Sequence, residues 1–490
     1  MDNIIRFPAS YNKDLPAEYL GNPYIEALPE MMDQKSYFET VMFLPRFDKT
    51  FCNEPDHFRK VKIVETYKCV VPNAHYYDLY KTLWRMLFTT YTDRNSFDTE
   101  AVKEHYTKLL LKKKMDRVWT GTTGESLLLT APSGFGKSMM VRRILLSLTQ
   151  VIDHDVHEGK KFRQPQILWI YLKIPSNANR RSLCHLFLSE VDRCAGTDYA
   201  QKTPETTLIG NYERIFRTII ETYKLGLLVV DEMQNLTVSK AGGDQEFLNF
   251  FSELSEQWRL GLVLIGTPNI IPILEKTFSA GRRLTSGGDK HYERYAIDSP
   301  IWEGLVKALW PYQYVNTQKE LYDAKRVIVD QKLYEEIYKL TQGIPFVFTF
   351  LFIHAQMIAI ESPGADGNEV IGVGNWRRAY NESSTLIRAA IEDIRATGGK
   401  SYPDLMHAAQ YQCAPEKTAF IVELQAILTN NSIPPKIAKT LRVEISAFEK
   451  NYVLNEKEQA IIDKVKQLNF YEDIAGPSEA FIDGECEVVN

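Results

Sequence analysis

A chain of 490 residues is too long for a single compact core, and 44% hydrophobic with 25% charged residues excludes a chain disordered as a whole. A net charge of -5 excludes whole-chain attraction to a polyanion, so any nucleic-acid contact rests on a few local Lys and Arg. The six cysteines are scattered with no CxxC pair and no Cys/His cluster, which excludes a zinc site and fits free thiols in a reducing cytoplasm.

The opening MDNIIRFPAS has no apolar signal core, and no secretion is expected. Residues 1–100 read as an N-terminal extension with a Pro-punctuated start. A strand-like run over 62–71 follows, then a helix with Leu79, Leu83, Met86 and Leu87 on one face. Residues 101–300 change character. SLLLTAP (126–132), QILWIYLKI (166–174), GLLVVDE (226–232) and LVLIGTP (262–268) are near-continuous apolar runs, as parallel strands covered on both faces require. Amphipathic helices between them predict an α/β fold with a parallel sheet flanked by helices.

The first of these strands runs into APSGFGKS (131–138), a Walker A pattern with Ala131 where the first Gly usually stands. Gly134 and Gly136 let successive N–H groups turn inward, and the following helix adds its positive N-terminus. Ser133, Gly134, Phe135, Gly136, Lys137, Ser138 and Met139 are therefore expected to cradle ATP. Lys137 would reach the β- and γ-phosphates and the Ser138 hydroxyl would coordinate Mg²⁺. The second strand ends before SNANRRSLCHLFLSEV, where Leu183, Leu186, Phe187 and Val191 form an inward helix face. GLLVVDE places Asp231 and Glu232 at a strand's C-terminal end, where open α/β sheets bind ligands. Asp231 would hold Mg²⁺ through its water shell and Glu232 would polarise the attacking water. LVLIGTP ends on Thr267, the choice for a γ-phosphate sensor, with Asn269 as the reserve and a plain strand end as the bland reading. SAGRRLTSGG reads as a flexible loop whose Arg282 and Arg283 suit an arginine finger for a neighbouring subunit, although exposed Arg pairs are commonly only solvated.

Beyond residue 300 helical periodicity takes over, predicting a helical lid over 301–400 with a Gly-rich break at 362–374. The apolar run 344–360 contains Pro345, His354 and Gln356 and reads as a buried helix, so no membrane segment is expected. GGK at 398–400 marks a boundary before a C-terminal helical region and acidic tail, 401–490.

NPYIEALPE (22–30), the P-loop, LGLLVVDEMQNL (225–236), GGDQEFLNFF (242–251) and LVLIGTP together resemble TnsC, the AAA+ regulator ATPase of Tns-type (Tn-seven-like) transposons, in order and spacing from about residue 20 to 360. The resemblance implies an ATP-binding matchmaker that forms rings or filaments of itself around duplex DNA. It would link a TnsD- or TniQ-like target selector, met by the N-terminal extension, to the transposase subunits TnsA and TnsB, met by the C-terminal region. Glu232 resembles the hydrolysing members, in which turnover disassembles the complex. TQGIPFVF (341–348), where a sensor 2 Arg is sought, contains none.

Asn177, Asn179, Arg180 and Arg181 lie in the loop that faces the central pore of DNA-encircling AAA+ assemblies, and Lys202 and Thr203 form a second candidate contact. The run Lys112, Lys113, Lys114 is denser, but such a run more often makes a solvated helix face. Two other readings stay open: a metabolic phosphotransferase, disfavoured by the Asp-Glu pair, and an oligomeric signalling or scaffold ATPase that does not act on DNA.

Overall fold

The computed structural model describes residues 4–92, 94, 95, 97, 124–175, 180–205, 207–238, 243–275, 278–408, 415–430, 435–452, 454 and 456–467. Eight strands are present among them: β1 (Arg6–Pro8), β2 (Ser126–Thr130), β3 (Val151–His157), β4 (Lys160–Ile167), β5 (Trp169–Lys173), β6 (Leu227–Asp231), β7 (Gly261–Gly266) and β8 (Gly288–His291). Five of them form a sheet of order β5-β6-β7-β2-β8, parallel at every pairing. Parallel neighbours need crossovers, and the intervening helices supply them on both faces.

The two-residue period of each strand divides the sheet between two cores. Leu127, Leu129, Leu227, Val229, Val263 and Ile265 face a cluster shared with helix Ala74–Thr92, the P-loop helix Lys137–Ser147 and the helices that follow residue 300. Leu128, Leu228, Val230, Leu262 and Leu264 face the opposite cluster with helices Arg180–Ala195, Ile209–Thr222 and Gly243–Trp258. Leu79, Leu83, Met86 and Leu87 are all buried, as their helical spacing predicts. N-terminal residues and lid residues thus share one continuous core with the sheet. Helix Pro345–Glu361 is buried along most of its length, and among the described residues no single helix is long and apolar enough to cross a membrane.

Three local expectations are corrected. Residues 62–71 are not a strand: helix Asp56–Ile63 runs into a 3₁₀ turn, Val64–Lys68, because Arg59 and Ile63, one helical turn apart, are the buried pair. The run 166–174 is two strands broken at Leu168, whose first half closes a β3–β4 hairpin through Glu158 and Gly159, both with positive φ. This hairpin and β1 make a second, three-stranded sheet. Arg282 and Arg283 end a short helix, Phe278–Leu284, rather than occupying a loop, since Leu284 is fully buried and anchors the turn against the sheet.

Candidate nucleotide site

The P-loop leaves β2 at Thr130 and enters its helix at Lys137, with Gly136 as the left-handed N-cap at φ +97°. Gly134 has φ +76°, and a side chain there would also meet Ile344 Cγ2 at 3.0 Å and Phe346 Cβ at 3.2 Å. These two glycines are required by backbone conformation. Ala131 is buried and does not have positive φ, so a residue with a Cβ is tolerated where the motif usually has Gly. Lys137 is buried too; burial pushes its ammonium pKa down, opposed by the charges of Asp231, Glu232 and Asp404 around it. A desolvated ammonium facing three carboxylates is a strong attractor for an anion that brings its own metal.

β5 and β6 carry the acidic side. Asp231 is fully buried, its Oδ2 accepting from the Tyr171 hydroxyl at 2.5 Å and its Oδ1 from the Glu232 N–H at 2.7 Å. Burial and the Asp231 charge push the Tyr171 pKa well up, and the Arg142 guanidinium lies 4.8 Å above its ring. Glu232 has φ +63°, a conformation that costs a non-Gly residue about 1–2 kcal/mol and that gathers at functional sites. Its carboxylate meets Lys173 Nζ at 3.6 Å and the side-chain amide of Gln234. β7 ends at Gly266; Thr267 follows, its N–H donating to Gln234 Oε1 at 3.2 Å and its hydroxyl to Asn269 Oδ1 at 2.5 Å.

Lys137, Glu232, Gln234 and Thr267 line one cavity of about 810 Å³, within the range of small-molecule sites. Ser133 to Met140, Glu232, Gln234 and Thr267 are part of its lining. Tyr67, Val70, Pro72, Ile301, Leu305 and Phe346 add apolar surface to it, and Tyr67 stacks on Phe346. Asp231, fully buried, does not line the cavity. Two further segments touch the P-loop. The Phe346 N–H at the start of the lid helix donates to Gly134 O at 3.1 Å, and the Ser133 N–H donates to Asp404 O at 2.8 Å. The second comes from a strap around 402–408, fixed by Arg294 Nη2 on His407 Nε2 at 2.7 Å and by Met406 packed on Ile271.

The remaining sequence-chosen residues lie elsewhere. Arg282 and Arg283 do not line the cavity; Arg282 is exposed and Arg283 pairs with Glu256 at 2.9 Å, so neither serves this chain's own site. Asn177, Asn179 and the run Lys112, Lys113, Lys114 lie outside the described residues, and Arg180 is described only as the first residue of its helix. Arg181 is exposed on that helix. Lys202 is exposed and pairs with Asp198 at 2.7 Å, whereas Thr203 is buried and offers no open face to a polyanion. Tyr171, Lys173, Gln234 and Asp404 were not singled out from sequence. Gln234 alone had a local signal, standing three residues after the Walker B aspartate.

Residues 121–274 match the family described as AAA domain. The strand order and the P-loop give the chain the fold of a P-loop ATPase of the AAA+ type. Similar solved structures include a Walker-type ATPase of Pyrococcus abyssi, with 15% identity over 76% of this chain and 90% of that one and a TM-score of 0.35. Cdc6p from Pyrobaculum aerophilum matches with 13% identity over 76% and 86% and a TM-score of 0.37. No curated protein matches the sequence.

Proposed function

We propose that the protein is an ATP-dependent, DNA-binding regulator of transposition. It oligomerises on duplex DNA and connects a TnsD- or TniQ-like target selector to the transposase subunits TnsA and TnsB, and ATP hydrolysis controls its release. The observation that carries the ATPase half is the convergence of Lys137, Ser138, Glu232 and Thr267 on one cavity, with Asp231 directly behind. In this reading Ser138, and Asp231 through water, would hold a Mg²⁺ ion, which would supply charge neutralisation for the phosphates. Lys137 draws the phosphates in, and Glu232 takes the proton of the attacking water. Arg282 or Arg283 completes the site of an adjacent copy. The DNA and transposition half is supported by the resemblance of 22–30, 225–236, 242–251 and 262–268 to TnsC. We assign 1–100 to the selector side and 401–490 to the transposase side.

A scaffold ATPase with no DNA is the second reading, favoured by the net charge of -5 and by the pairing of Lys202 with Asp198. ATPase rate and particle shape by electron microscopy, each with and without duplex DNA, separate the two. DNA-stimulated turnover and DNA-threaded rings or filaments are expected. Assemblies that form equally well without DNA, with a turnover that ignores it, select the scaffold.

A further inference from the structure

We propose that Gln234 is a positioning residue for hydrolysis, clamping the Glu232 carboxylate to the backbone at the end of β7. The inference rests on Glu232 being the group that activates water. Both ends of one amide are engaged with the correct polarity. The Gln234 side-chain NH₂ donates to Glu232 Oε2, while its Oε1 accepts from the Thr267 N–H at 3.2 Å. A side-chain amide offers a donor and an acceptor on one planar group, and of the two amides Gln has the longer reach.

Neighbouring residues fix the clamp. Met233 is fully buried, and the Asn235 side chain donates to Ile174 O at 2.7 Å, so the 3₁₀ turn Met233–Val238 is pinned on either side of Gln234. Gly266 leaves the passage open, since a Cβ there would stand 3.3 Å from Gln234 Oε1 and 3.3 Å from Met233 Cβ. Glu232 itself sits on a left-handed backbone and needs outside contacts to select one side-chain direction. Lys173 reaches its other oxygen, at 3.6 Å, from the neighbouring strand. The base and the sensor strand are thereby joined through one side chain, and a displacement of Thr267 is carried to Glu232.

Steady-state ATPase kinetics and fluorescent-ATP titration of the full chain test this. Gln234→Ala should lower kcat about 10- to 100-fold, the size expected for a misplaced catalytic group, with KM and ATP affinity within about twofold of wild type. Gln234→Glu keeps the length and the acceptor but puts a second carboxylate where the donor stood, and should lower kcat at least as far as Gln234→Ala. A residue that only fills space would tolerate this isosteric change. If Gln234→Ala loses nucleotide binding, the kcat of Gln234→Glu decides the matter. A wild-type kcat in Gln234→Ala or in Gln234→Glu overturns the clamp. Wild-type turnover in Glu232→Gln instead overturns the hydrolytic reading of Glu232, whatever Gln234 does.

Discussion

Gly343 sits just before helix Pro345–Glu361, whose Phe346 N–H meets the P-loop, and its replacement by Ala is the severest single-methyl change expected near the candidate site. Its φ is +69°, and an added Cβ would stand 1.9 Å from Tyr295 O, with Tyr295 C and N at 2.9 and 3.0 Å. All three are backbone atoms, so no side chain can rotate away. The left-handed conformation costs Ala about 1–2 kcal/mol, and forcing the two backbones apart adds about 1–3 kcal/mol. The hydrogen bond from Tyr295 N–H to Gly343 O, 3.3 Å long, is also strained. A total near 2–5 kcal/mol corresponds, for a chain of this length, to a melting point lowered by about 2–5 °C. Tyr295 lies 5.1 Å, ring to ring, from Phe135 of the P-loop, so the displacement should also weaken ATP binding. Thermal denaturation followed by tryptophan fluorescence and a nucleotide titration measure both effects. A melting point within about 1 °C of wild type would show that the lid does not close against Tyr295 in this way.

Lys137→Ala should abolish ATP binding and DNA-dependent assembly, read by fluorescent-nucleotide titration; normal affinity refutes the P-loop assignment. Glu232→Gln should bind ATP and DNA normally, stop turnover and prolong the lifetime of DNA complexes. Arg282→Ala and Arg283→Ala should each lose turnover alone and regain part of it when mixed with Glu232→Gln protein, because a finger acts on the neighbouring copy; unchanged turnover in both moves the finger elsewhere. The Arg180→Ala, Arg181→Ala double variant should keep ATP affinity while the slope of log DNA affinity against log salt falls by roughly two; an unchanged slope places the contact elsewhere. His154 is buried between the Tyr11 hydroxyl and Gln166, and burial holds its pKa below the usual value, so the folded state refuses a proton that the unfolded chain accepts below pH 6.5. Stability should therefore fall as pH drops from 7 towards 5, by up to about 1.4 kcal/mol per pH unit for this group. Urea denaturation of His154→Asn should show a shallower fall, and an identical slope would refute it.

How much of this was legible in the sequence follows from where each element sits. β2, β6 and β7 are buried on both faces, so their apolar runs were unmistakable, and each runs directly into a candidate site residue. The hairpin β3–β4 is half exposed and lacks an Asn-Gly or Asp-Gly turn, leaving the sequence without its usual marker. β8 has four residues, GDKH, with no apolar side chain, and only the open edge of β2 makes it a strand. The alternation in KVKIV imitated a strand because the helix there buries only a narrow stripe. Asp404 reaches Ser133 from far along the chain, and no local pattern reports such a contact.

The pairing of β1 with β3 has a consequence for the timing of synthesis. Arg6 is aligned with Val151, and the Ala9 N–H reaches Asp153 O, so the first strand has no sheet partner until the hairpin has left the ribosome. At ordinary translation speeds the segment waits roughly 10–30 s, with Phe7 and an open strand edge exposed. Once paired, Arg6 also donates to Cys194 O, and Tyr11 and Lys13 reach His154 and Glu26. Residues 6–8 are thus locked into a sheet only after residues 151–153 are made, and a nascent chain arrested before residue 151 would carry an unpaired strand.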